Sequence, residues 1–79
     1  MIYVDQPRRW NGRRKLYAHM ASDVSLEELH AFAASIGLKK HWFHKDHYDL
    51  REDEHAQAIR AGAIQVTSRE LVRKIRKEK

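Results

Sequence analysis

Phe43-His44-Lys45-Asp46-His47-Tyr48-Asp49 sets two histidines and two aspartates in a near-repeat, H-x-D followed at once by H-x-D. No other part of the chain is so dense in groups that bind metals or move protons. How this stretch is read decides the fold. Asp49-Leu50-Arg51-Glu52 has the spacing of a capping box, which predicts a strand-to-helix junction with Asp49 as the cap. The helix then runs to Ala61 with Leu50, Ala56 and Ile59 inward, and Gly62 stops it. Ahead of the junction, Leu38 to Phe43 reads as a short strand entering the core.

Working outward toward the start, Ser25-Leu26-Glu27-Glu28 is a second capping box. Leu26, Leu29, Phe32, Ala33 and Ile36 follow at helical spacing, and Gly37 supplies a left-handed stop. His30 falls at the edge of that apolar stripe and reads as a boundary histidine bonded to backbone or water. Leu16-Tyr17-Ala18-His19-Met20 alternates as a strand does, and so do Ile2 to Asp5 before Pro7. Between them, Arg8-Arg9-Trp10-Asn11-Gly12-Arg13-Arg14-Lys15 is a loop or wide hairpin tip, with Asn-Gly as its turn signal. Trp10 either folds back as an anchor or stands ready to stack on a base.

Toward the end, Ile64-Gln65-Val66-Thr67 reads as a strand with two β-branched anchors. Thr67 or Ser68 caps a third helix whose apolar side is Leu71, Val72 and Ile75. Alternation of strands and helices predicts an α/β fold over residues 1–79: a small single domain with a short mixed or parallel sheet of three to four strands packed with three helices.

Seventy-nine residues leave no room for a second core and bury only about 60% of the unfolded surface, so the stability margin is thin. A homo-oligomer interface or a bound ion could supply what the core cannot. Without cysteine there is neither a disulfide framework nor a thiolate metal site, and any metal needs His and carboxylate ligands. The first residues lack a signal-peptide pattern and no apolar run reaches the roughly 20 residues of a membrane span, so the expectation is a cytoplasmic protein with no membrane partner.

Net charge is +5, but two basic ends flank an acidic middle. Residues 1–20 carry five basic groups against Asp5, and residues 68–79 carry six against Glu70 and Glu78. Such clusters attract phosphate. The basic ends would bind a nucleotide or nucleic acid through Arg8, Arg9, Arg13 and Arg14 at one end and Arg69, Arg73, Lys74, Arg76 and Lys77 at the other. They also fit a solvated helix face and a solubilising loop.

Three readings of the His/Asp stretch stay open. His44, Asp46 and His47 offer ligands suited to a divalent metal ion. In an extended chain, however, His44 and Asp46 share one face and His47 and Asp49 the other, so partners must come from Asp5, His19 or Asp23. Without a metal, His19, His44 and His47 could move protons, with Asp46 orienting a ring, as phosphodiester or nucleotide chemistry requires. Third, the stretch is a polar junction, with Tyr48 packing its ring while its hydroxyl reaches water.

Tyr3-Val4-Asp5 with Pro7 and Trp10, His19 with Ser22-Asp23, Glu28 to Ala33 with Gly37, Phe43-His44 with Asp46 to Asp49, and Gly62-Ala63 with Ser68-Arg69-Glu70-Leu71 together make the chain resemble a small bacterial and phage family, domain of unknown function 4031. The resemblance spans nearly the whole length, and the basic loop around Asn11-Gly12 departs from its commoner form. It implies that Asp5, His19, Asp23, His30, His44, Asp46, His47 and Asp49 belong to a shared pattern, and it implies no activity. The leading expectation is a His/Asp site acting on or binding a phosphate-containing ligand by acid–base or metal-assisted chemistry. The competing one is a non-catalytic nucleic-acid- or protein-binding module that uses the basic third helix and the 8–15 loop.

Overall fold

β2 (Tyr17–Ser22) is the central strand of a five-stranded mixed sheet, in a computed structural model that describes residues 1–9 and 15–76. β1 (Ile2–Val4) pairs antiparallel on one side of it and β4 (His47–Arg51) antiparallel on the other. β3 (Phe43–His44) adds antiparallel to β4, and β5 (Ile64–Gln65) adds parallel to β1. The predicted Asn11-Gly12 turn and Trp10 lie outside the described residues, as do Arg13, Arg14 and Lys77.

Register sets the two faces, because directly opposed residues on neighbouring strands point the same way. Val4 opposes Met20, Met20 opposes Tyr48, Ala18 opposes Leu50 and Tyr48 opposes Phe43. This is the apolar face. α1 (Leu26–Ser35) and α2 (Glu52–Arg60) cover it, burying Leu29, Ala33 and Ala58 with Val4, Met20, Tyr48 and Leu50. Full burial of a Leu such as Leu29 or Leu50 contributes about 1.5–3 kcal/mol.

The other face is polar in its middle. His19 opposes Asp49, and His44 opposes His47. α3 (Ser68–Arg76) lies against part of this side: Ser68 Oγ donates to Asp5 at 3.0 Å, and Lys74 Nζ stands 4.2 Å from the centre of the Tyr3 ring.

Local chemistry sets the helix ends. Ser25 Oγ accepts from the Glu28 N–H, capping α1, but Glu28 does not close the box. Its carboxylate instead takes bonds from the Met1 amine and Ser22 Oγ, while Ser22 Oγ accepts the Ser25 N–H. At the far end Gly37, at φ 79, lets Leu38 N–H reach the Ala33 carbonyl and Gly37 N–H the Ala34 carbonyl. Gly62, at φ 113, makes the same pair of bonds to Ala58 and Ile59 at the end of α2. Both are Schellman stops, as the glycine positions predict. Thr67 caps α3 with a complete box, its hydroxyl accepting from Glu70 N–H and its own N–H donating to the Glu70 carboxylate.

The His/Asp stretch is where the sequence reading fails. The Leu38–Phe43 strand is instead a 3-10 turn at Lys40–Trp42, and β3 and β4 form a hairpin that brings the sheet to five strands where three to four were expected. Lys45 turns the chain at φ 60, and the Asp46 N–H donates to the His44 carbonyl at 2.7 Å, the i to i+2 bond of a γ-turn. Asp49 therefore caps nothing. It lies mid-strand opposite His19, and α2 begins three residues later with Arg51 at its cap. Arg51 has no acceptor to offer, so only the Glu54 half of the box forms, from Arg51 N–H at 2.9 Å.

This shift of register moves the inward face of α2. Ala56 is exposed and Ile59 stands 38% exposed, while Ala58 is buried and Leu50 reaches the core from β4. Leu26, Ile64 and Val72, expected inside, are also exposed, whereas Leu71 is buried and Ile75 half-buried. Among the described residues no helix is long and apolar enough to cross a membrane.

Candidate metal centre

Asp5 is the one buried charged residue among those described, and its carboxylate is fully engaged. Where the β1–β2 ladder reaches Asp5 and His19, the Asp5 N–H still donates to the His19 carbonyl. The return bond from His19 N–H goes to the Asp5 side chain, Oδ1, at 2.6 Å. Asp5 Oδ2 accepts from His19 Nδ1 at 3.0 Å and from Ser68 Oγ at 3.0 Å. An ionised carboxylate only accepts, so Nδ1 is the ring atom that donates to Asp5, and in the neutral imidazole Nε2 is then the atom that can bind a metal.

His47 is held in the same way from another direction. Its Nδ1 meets Asp46 Oδ1 at 2.9 Å, again fixing the proton there. The two rings meet edge to face, with centroids 4.9 Å apart and planes at 89°. Both Nε2 atoms look toward one oxygen: Asp49 Oδ1 lies 3.8 Å from His19 Nε2 and 3.5 Å from His47 Nε2. One ligand atom from each of His19, His47 and Asp49 falls within 4.8 Å of the other two.

Two donors about 2.1 Å from one ion sit at most about 4.2 Å apart, so the three need to draw in by roughly an ångström. Two imidazoles and a carboxylate suit zinc, manganese, iron or nickel, and carboxylates behind the imidazoles raise ligand basicity and hold the rings in place. The arrangement also places His44, exposed on β3, with its ring centroid 5.9 Å from that of His47. The hairpin turn puts His44 on the same face as His47, which an extended chain would not.

The expected partners divide sharply. Asp5 and His19 join the stretch from across the sheet, as anticipated. Asp23 does not: it bonds the Met1 amine at 3.1 Å, four ladder positions from the Asp5–His19 pair, about 13 Å along the strands. The amine holds the Asp23 carboxyl below its usual range. Asp46 supports His47 from the turn rather than facing the other donors.

Sequence reasoning gave three residues roles other than those they hold. Arg51 lies two positions beyond Asp49 on the same face and helps to wall a cleft of about 490 Å3 with Arg9, Lys15 and the acidic start of α2. Ser68 buttresses Asp5, where the sequence offered it only as a cap. His30, expected to bond backbone or water, bonds Tyr48 Oη at 2.7 Å on the apolar face, and burial pushes the Tyr48 hydroxyl pKa up. Of the basic residues on α3, Arg69 and Arg73 are exposed, and Lys74 is occupied by the Tyr3 ring.

Fold and site together define a small α/β domain whose sheet carries a two-histidine, one-carboxylate cluster on its polar face. The chain belongs to the family described as protein of unknown function DUF4031, which it matches over residues 2–78. No curated protein and no solved structure matches it.

Proposed function

We propose that the domain binds a divalent transition-metal ion through His19 Nε2, His47 Nε2 and Asp49, and uses it to hydrolyse a phosphate ester. The observation that carries this reading is the pairing of each imidazole with its own aspartate. Asp5 on His19 Nδ1 and Asp46 on His47 Nδ1 leave both Nε2 atoms facing the same carboxylate oxygen, 3.8 and 3.5 Å away. A chance cluster of surface histidines has no reason to be oriented twice in this sense.

Three protein ligands leave coordination positions for water and substrate, the pattern of catalytic rather than structural sites. An ion held by His19, His47 and Asp49 would supply a water of lowered pKa as the nucleophile for an in-line attack on phosphorus, with the leaving oxygen departing opposite it. His44, with its ring 5.9 Å from that of His47, is the group that would give the leaving oxygen its proton. Phosphate is favoured as the substrate group by Arg51, two residues along β4 from Asp49, which walls a cleft with Arg9, Lys15, Glu52 and Asp53.

Zinc-loaded protein should hydrolyse phenyl phosphate, a monoester whose leaving oxygen needs a proton. His47→Ala should abolish turnover, and His44→Ala should cut kcat by about a hundredfold while leaving metal affinity unchanged. Equal turnover by wild type and His47→Ala would sink the hydrolytic reading.

A second reading rests on Arg69 and Arg73 standing exposed on α3. In it the domain binds nucleic acid without catalysis, and His47→Ala leaves affinity and salt dependence intact while Arg73→Ala flattens the salt slope by about one.

A further inference from the structure

A cleft of about 320 Å3 beside the metal centre is walled by His41, Trp42, Phe43, His44 and Asp49. Asp49 belongs to both, so whatever occupies the cleft lies against the ion's own ligand. Trp42 is half-buried and packs against the edge of the apolar core, which fixes its ring. The His41 ring lies 5.1 Å from it at a tilt of 35°, and the Arg51 guanidinium stands 5.7 Å from the Trp42 centroid. Flat π-systems beside a cation suit a ligand with an aromatic ring at one end and an anionic group at the other. The volume falls within the range of small-molecule sites.

We propose that this cleft holds the base of a nucleoside monophosphate whose phosphate reaches the ion at His19, His47 and Asp49, an inference that rests on the metal reading above. The order of binding follows from charge. Asp5, Asp46 and Asp49 gather around the centre, so a phosphate is repelled until a cation is in place. The nucleotide therefore binds the metal-loaded protein and not the metal-free one.

Calorimetry with AMP and with ribose 5-phosphate, on zinc-loaded and on chelator-treated protein, tests this, with the zinc affinity of each variant measured separately. AMP should bind the zinc-loaded protein about tenfold or more tighter than ribose 5-phosphate, and neither should bind after chelation. Trp42→Leu should erase the preference while zinc and ribose 5-phosphate affinities hold. Should that variant fail to fold, His41→Ala, at an exposed position, should still weaken AMP several-fold. Equal affinity of AMP and ribose 5-phosphate for zinc-loaded wild type overturns the base subsite and leaves the metal reading standing. Failure of wild type to bind zinc overturns both.

Discussion

Asp5 keeps a buried charge in the sheet because three donors converge on it: the His19 N–H, His19 Nδ1 and Ser68 Oγ. Removing its charge should act through His19 rather than directly. Asp5→Asn turns an amide toward Nδ1–H or forces the tautomer to change, and zinc affinity should fall by about 10–100-fold in a chelator competition. Unchanged affinity would make Asp5 a purely structural residue. Lys45 carries the other local tension, a non-glycine residue at φ 60. Lys45→Gly relieves it and should raise stability in urea by up to about 1 kcal/mol without altering the metal site. The H-x-D spacing drew the eye to His47 and Asp49, which the structure sets beside His19, but it carried no information on that pairing. Asp5 meets His19 fourteen positions away, and Asp49 meets His19 across a strand pair. Such meetings depend on register, which spacing along the chain does not encode.

At the scale of elements, what the sequence made legible was local chemistry: the Ser25 cap, a cap at Thr67 or Ser68 that the structure assigns to Thr67, and the Gly37 and Gly62 stops. Ser25→Ala removes the acceptor for Glu28 N–H and should cost about 1 kcal/mol in denaturant unfolding. Gly62→Ala meets no atom within 4 Å, so its cost is that of the left-handed backbone alone, about 1–2 kcal/mol. The β3–β4 hairpin was illegible for the converse reason, since Lys45-Asp46 lacks the glycine or Asn-Gly that announces a tight turn. Its neighbour, Asp49-Leu50-Arg51-Glu52, imitated a helix cap, and pairing with β2 won over that local signal.

The start of α1 adds a pH-dependent latch. The Glu28 carboxyl is lowered by the Met1 amine and Ser22, Asp23 is lowered by the amine, and the amine is raised by Glu28 and Asp23. The lowered carboxyls stabilise the fold above their unfolded values and lose that effect as the pH falls through the folded ones. The raised amine stabilises below its ordinary value of 8.0 and loses that effect as the pH rises through its folded value. These groups are solvent-screened, so the effect is small. Acetylating the amine should remove the loss of stability on the alkaline side. An unaltered alkaline limb would show that the latch contributes nothing.

Across the whole molecule, alternating strands and helices disclosed the α/β class, and the short chain set the expectation of a thin stability margin. Neither disclosed which face of the sheet stays open. The sheet buries Val4, Met20, Tyr48 and Leu50 under α1 and α2, while α3 shields Asp5 and Tyr3 on the far side and leaves His19, His47 and Asp49 half-buried. Both sides are thereby anchored around β2, so an ion gripped by β2 and β4 ties the two central strands together. Zinc at a hundredfold excess over its dissociation constant should stabilise the fold by about 2.7 kcal/mol, which raises Tm by roughly 10–20 °C in a domain this small. The decisive measurement is a calorimetric titration of chelator-treated protein with zinc. One ion per chain should bind wild type, and the binding heat should vanish in His19→Ala, His47→Ala and Asp49→Asn. Absence of binding by wild type, or its survival in all three variants, would contradict the metal centre.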